Sequence, residues 1–152
     1  MDQLPFVDEH DQQVDVRADA VWTALVDVVR RAMTGGASVA RVLGCDPAWG
    51  TVEFSGKLGD AVPGFRVVES EPPRLLALRG RHRYSDYALT FVVDGERLSA
   101  RTDAAFPGVL GRVYRALVIG SGAHRFVTRR LLRRVAEAAS ASRLSPSPSR
   151  ST

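Results

Sequence analysis

Residues 74–106, RLLALRGRHRYSDYALTFVVDGERLSARTDAAF, decide how this chain folds. Apolar and polar residues alternate there in three runs, at about 74–81, 84–93 and 96–106, the period-two pattern of half-buried strands. Asp94-Gly95 is a strong short hairpin signal. As a two-residue turn it pairs Val93 with Glu96, Phe91 with Leu98, Leu89 with Ala100, Tyr87 with Thr102 and Asp86 with Asp103. A second tight turn at His82-Arg83 sets Leu78 opposite Tyr87, Leu76 opposite Leu89 and Arg79 opposite Asp86. The two turns agree on one mainly apolar inner face and one mainly polar outer face, as a correct register requires.

Working outward, Glu71-Pro72-Pro73 is a connection, because two prolines cannot sit inside a ladder. A strand is expected before it over 65–69, and another over 51–58, where Val52, Phe54 and Leu58 alternate with Glu53, Ser55 and Lys57. Nearer the start, a short strand at 10–16 precedes a helix capped by Asp19 and running to about Met33. Val21, Trp22, Leu25, Val28 and Val29 form its apolar stripe, and Gly35-Gly36 ends it. Residues 37–50 carry the weakest pattern; a short strand over 39–43 and a loop at Asp46-Pro47 are expected. After Phe106-Pro107-Gly108 a helical pattern runs over about 109–139. In a continuous helix Val113, Leu117, His124, Val127, Leu131 and Val135 fall in a band about 80° wide, with seven arginines in the opposite half-circle. Gly120-Ser121-Gly122 is where that helix would kink.

The 152 residues suit one domain, expected over 1–139, and residues 140–152 are expected to be a disordered Ser/Pro/Arg-rich tail. The single cysteine, Cys45, excludes an internal disulfide and a thiolate zinc cage, and its expected role is a small buried hydrophobe. No apolar run approaches the roughly 20 residues a membrane span needs. The first thirteen residues lack the order of a signal peptide, so a soluble cytoplasmic protein is expected. Of the 21 basic residues only Lys57 is lysine.

Strand, helix, antiparallel meander and long closing helix is the order of a helix-grip fold. The segments GFRVVESEPPRLLALRGRHRYSDYALTFVV (64–93) and RLSARTDAAFPGVLGRVYRALV (97–118) resemble the START-like superfamily, also called SRPBCC, which includes polyketide cyclases, lipid-transfer domains and the major pollen allergens. The shared features are Glu71-Pro72-Pro73-Arg74-Leu75 between two strands, the aromatic strand from Tyr84 to Phe91, and the alternating strand before the last helix. The resemblance implies an α+β fold with a curved antiparallel sheet wrapped around a long C-terminal helix. It also implies a pocket between sheet and helix for a lipid, sterol, polyketide or other aromatic compound, and a short second helix within 37–50.

The expected cavity residues are His82, Tyr84, Tyr87, Leu89, Phe91, Thr102, Leu117 and His124. His124 is either a polar anchor or proton carrier, or a buried histidine satisfied by a backbone carbonyl. Tyr87 opposite Thr102 either orients a ligand oxygen or fills the core. Asp86 and Asp103 are expected on the outer face as a solvated charge cluster with Arg79 and Arg101. No Ser-His-Asp order, P-loop, dinucleotide glycine motif or Cys/His metal spacing occurs, and no cofactor or metal is expected. Binding or transport of a hydrophobic small molecule is the leading expectation. A cyclase- or dehydratase-type lyase using an inward His–Tyr pair is the alternative. A third is docking to an anionic membrane surface through Arg125, Arg129, Arg130, Arg133 and Arg134. Specific nucleic-acid binding is not expected, because the arginine face lacks the aromatic interleaving of the kind that stacks bases.

Overall fold

The structure, a computed structural model, describes residues 3–144. In chain order the elements are β1 (Phe6–Gln13), α1 (Ala18–Thr34), α2 (Ala37–Leu43), β2 (Ala61–Val62), β3 (Phe65–Glu71), β4 (Leu75–His82), β5 (Ser85–Asp94), β6 (Arg97–Ala105), α3 (Gly108–Val118) and α4 (Ala123–Leu144). The strands form one antiparallel sheet in the order β1-β6-β5-β4-β3-β2. It is curved and open, and α1 and α4 pack together on its concave side. This is the α+β helix-grip arrangement expected from the sequence.

The inner face is the one expected, but both hairpins are shifted by two residues. In β4–β5 Leu78 faces Leu89 and His82 faces Ser85. In β5–β6 Phe91 faces Ala100, Leu89 faces Thr102 and Tyr87 faces Ala104. A slip of two keeps every side chain on its own face, whereas a slip of one would invert them all. The β5–β6 turn is Gly95-Glu96, with φ 57° at Gly95 and a negative φ at Glu96. That pattern matches a type II′ turn, which needs positive φ at its first central residue alone. The expected Asp94-Gly95 turn would have forced positive φ on Asp94 as well. The same slip moves Asp86 opposite Ala105 and Asp103 opposite Ala88, so the two carboxylates do not face one another. Arg101 instead holds Asp103 at 2.9 Å.

Residues 51–58 form no strand, contrary to the alternation. The Asp60 carboxylate accepts the backbone N–H groups of Ser55 at 2.8 Å and Lys57 at 3.2 Å. Those donors are thereby used in a local turn, and Gly56 and Gly59 take positive φ beside it. Phe54 alone of the three apolar residues is buried, and Val52 is fully exposed. Residues 37–43 are the helix α2, not a strand. β1 begins four residues and ends three residues earlier than expected.

At the start of α1, Arg17 occupies the cap without a side-chain bond, and Asp19 lies in the first turn, where its charge complements the helix dipole. Val21, Ala24, Leu25, Val28 and Val29 are its buried face. The closing helix is two helices. Gly122 has φ 77°, and the Ser121 hydroxyl accepts the Ala123 N–H to begin α4. α4 buries Thr128, Leu131, Leu132, Val135 and Ala139 against α1, β1 and β6. Val113, Leu117 and Val127, expected on the inner stripe, are each more than half exposed. α4 continues to Leu144, five residues beyond the expected end of the domain; residues 145–152 of the expected tail lie outside the described residues.

Candidate functional site

The middle of the concave face is filled. Leu76, Leu78, Phe91 and Leu98 from the sheet meet Leu25 and Val29 of α1 and Leu132 and Val135 of α4, all at most 1% exposed. Leu89 and Phe91, expected to border a cavity, belong to this packed core. Two polar groupings flank it.

The first lies where β4, β5 and α3 meet. All three tyrosines of the chain, Tyr84, Tyr87 and Tyr114, gather here around His82. The His82 ring is 4.8 Å from Tyr114 and 5.5 Å from Tyr87, centroid to centroid. Tyr114 stacks on Tyr84 at 5.6 Å, Phe65 meets Tyr87 edge-on at 5.0 Å, and Phe106 extends the group beyond Tyr114. Tyr87 reaches its place because Gly80 lies opposite it. A Cβ on Gly80 would lie 2.8 Å from the Tyr87 ring and 1.9 Å from the Gly64 carbonyl oxygen. The Tyr87 hydroxyl donates to that carbonyl at 2.7 Å and lies 3.9 Å from the Cys45 sulfur.

The electrostatics of this group favour neutral forms. Burial, and then the neighbouring Cys45, push the Tyr87 phenol far above its ordinary range, and the same two causes raise Tyr114. Burial lowers the His82 pKa, with Asp86 opposing. The Tyr84 backbone N–H donates to His82 Nδ1 at 3.1 Å, so the neutral ring carries its proton on Nε2. The site therefore offers an N–H donor and phenol groups amid π faces, with the Asp86 and Asp46 carboxylates close by. His82 lies within ring contact of Tyr84 and Tyr87. Among the described residues its ring nitrogens make no hydrogen bond to either phenol.

Because folding lowers the His82 pKa, the unfolded chain binds the proton more readily. Stability from this source is full above the unfolded value, about 6.5, and falls as pH drops from there toward the folded value. Urea midpoints measured between about pH 7.5 and pH 5 are expected to fall more steeply in the parent than in His82→Gln. Parallel profiles would refute the assignment.

The second grouping joins β1 to α4. His10 Nε2 lies 3.1 Å from one oxygen of Asp8, and His124 Nε2 lies 3.3 Å from the other and 3.1 Å from Thr102 Oγ1. His124 is thus held by side chains, not by the backbone carbonyl expected of a core histidine. Its Nε2 faces both partners, so the three do not form a relay in which the two ring nitrogens have separate tasks. The two histidines approach different carboxylate oxygens, and among the described residues no group of three His, Cys, Asp or Glu is disposed to hold a metal ion. Leu117, also expected at the cavity, is 68% exposed on α3.

Open concavities lie around the rim. One of about 670 Å³ separates the end of α1, with Arg30, Arg31 and Thr34, from Trp49 and Val52. Another, about 420 Å³, lies beside Tyr87, Asp46 and Arg81. Of the expected cavity residues, Tyr87 borders the latter. Sequence reasoning missed Tyr114, Phe65 and Cys45. Tyr114 lies off the apolar stripe of a continuous helix and joins the site because the chain breaks after α3.

No protein-family model matches the chain, and no curated protein matches its sequence. Solved structures do match along most of its length. A crystal structure of a Rhodobacter sphaeroides protein superposes with a TM-score of 0.55 at 16% identity, covering 88% of this chain and 91% of that one. A Mesorhizobium loti protein gives a TM-score of 0.50 at 11% identity, covering 91% and 98%. The likeness is one of fold. It agrees with the helix-grip architecture and assigns no ligand or reaction. No described helix is long and apolar enough to cross a membrane.

Proposed function

We propose that the protein binds a hydrophobic small molecule with an aromatic or conjugated ring system, at the aromatic end of its concave face. The observation that carries this is the convergence of all three tyrosines with His82, Phe65 and Phe106. Such rings supply apolar area with stacking geometry, and the His82 Nε2–H supplies a donor for a ligand oxygen. The superfamily resemblance supports the same class of ligand. Placing the site at this end, rather than in the middle of the sheet, follows from the filled core around Phe91.

Titration with the neutral fluorescent probe Nile red tests the proposal, alongside mass spectrometry of solvent extracts of the purified protein. Tyr114→Ala removes one wall of the site and is expected to weaken probe binding about tenfold, the effect of losing about 1.4 kcal/mol of ring contact. Equal binding by parent and variant would overturn it. The lyase alternative draws on the neutral His82 beside protonated phenols. It ranks second because no side-chain hydrogen bond links imidazole to phenol.

A further inference from the structure

Charge is divided sharply along this chain. Residues 1–107 hold twelve Lys and Arg against sixteen Asp and Glu, whereas residues 108–152 hold nine Arg against one Glu. Residues 104–136 contain seven arginines and no carboxylate. The same segment carries unpartnered apolar surface. Val109, Leu110, Val113 and Leu117 are all more than half exposed, and at 100° per residue they share an arc of about 100° on α3. The adjoining side of α3 holds it to the fold, where Gly111 lies close against Phe106 and the Tyr84 carbonyl. An amphipathic helix ordinarily turns such an arc inward; this one turns it out.

The start of α4 repeats the combination. Phe126 and Val127 are more than half exposed. Phe126 shares its helix face with Arg129, Arg130 and Arg133, at the i+3, i+4 and i+7 positions, and all three arginines are exposed.

We propose that α3 and the first turns of α4 dock on an anionic lipid bilayer, with the exposed aliphatic side chains and Phe126 entering the headgroup boundary and the arginines holding lipid phosphates. Interfacial helices combine these features: an apolar arc that finds no protein partner, and flanking cations. Aliphatic side chains gain nothing from a nucleic-acid backbone. A symmetric pairing with a second copy would set like-charged arginine surfaces against one another, which disfavours association. The proposal does not draw on the small-molecule site: it uses the exposed arc of α3 from Val109 to Leu110, and Tyr114 lies on the adjoining flank, about 40° beyond Leu110.

Co-sedimentation of the full chain with vesicles of phosphatidylcholine plus phosphatidylserine, against phosphatidylcholine alone, is the test. Partition is expected on the anionic vesicles and is expected to fall with added salt. Arg130→Gln with Arg134→Gln is expected to lower it about thirtyfold, at about fivefold per arginine. Leu110→Ser with Leu117→Ser is expected to lower it at least about tenfold while leaving the melting temperature unchanged. Lack of partition at low salt would overturn the proposal, as would unchanged partition of the leucine variant, which would mean adhesion without insertion. Tighter binding to single-stranded RNA than to vesicles would overturn it too, and so would a concentration-dependent dimer abolished by the leucine substitutions.

Discussion

Gly80→Ala is expected to destabilise the protein by about 3 kcal/mol or more, enough to leave much of a marginally stable domain unfolded. The added methyl group would lie 1.9 Å from the Gly64 carbonyl oxygen and within 2.9 Å of the Tyr87 ring and hydroxyl. Tyr87 alone is free to swing aside, but the carbonyl belongs to the Pro63-Gly64 turn between β2 and β3, whose backbone is fixed by pairing of Val62 with Phe65. Two further variants separate these contributions. Tyr87→Phe removes the hydrogen bond to Gly64 and is expected to cost about 1 kcal/mol. Combining Gly80→Ala with Tyr87→Ala relieves the ring contact and not the carbonyl contact, so it is expected to recover little. Urea denaturation followed by circular dichroism measures all three. A loss below about 1 kcal/mol for Gly80→Ala would show that the turn yields easily, and the close packing that places Tyr87 in the aromatic site would have to be abandoned.

Gly80 also explains why the hairpin register was half legible. Alternation along residues 74–106 specifies which side chains face inward, because that depends on parity alone. It does not specify which inward residue meets which. In the expected register Leu78 would face Tyr87. In the structure the ring is matched to the residue without a side chain, and Leu78 meets Leu89. The Gly95-Glu96 turn was similarly hidden, because a hairpin signal at Asp94-Gly95 fits glycine in either central position. Elsewhere local bonding overrode pattern. Residues 51–58 alternate like a strand, yet one carboxylate, Asp60, accepts two of their backbone N–H groups and folds them into a turn. The helical stripe failed for a different reason: its arithmetic assumed one continuous rod, and the break at Gly120-Ser121-Gly122 frees α3 to rotate separately from α4. That rotation brings Tyr114 to His82 and turns Leu117 outward.

The site is legible to the same degree. His82, Tyr84 and Tyr87 come from the hairpin whose faces were readable, and they do converge. Thr102 and His124 meet each other as well, but their common partner Asp8 is supplied by β1, a strand that pairs with β6 from the far end of the sequence. Contacts of such sequence separation leave no local periodicity to read. The consequence for function is a displacement: the polar and aromatic groups lie toward the edges of the concave face, with a dry packed block between them.

Phe91→Ala tests that displacement and is expected to cost about 3 to 5 kcal/mol. Phe91 is fully buried, and so are Leu76 and Ala100, the residues paired with it on either side. Neighbours held by sheet hydrogen bonds cannot close around the vacated volume, so the variant gains an apolar cavity that stays dry. Benzene, which is small enough to enter, is then expected to raise the melting temperature of Phe91→Ala and to leave the parent almost unchanged, by ordinary linkage between binding and folding. The aromatic site is a rival location for benzene. The double variant Phe91→Ala with Tyr114→Ala removes that ambiguity, since stabilisation arising in the core survives the loss of Tyr114. Equal stabilisation of parent and Phe91→Ala would mean that the interior already holds usable space. The ligand would then belong between the sheet and α4, as the sequence first suggested, and His82 with its tyrosines would guard the entrance instead of forming the site.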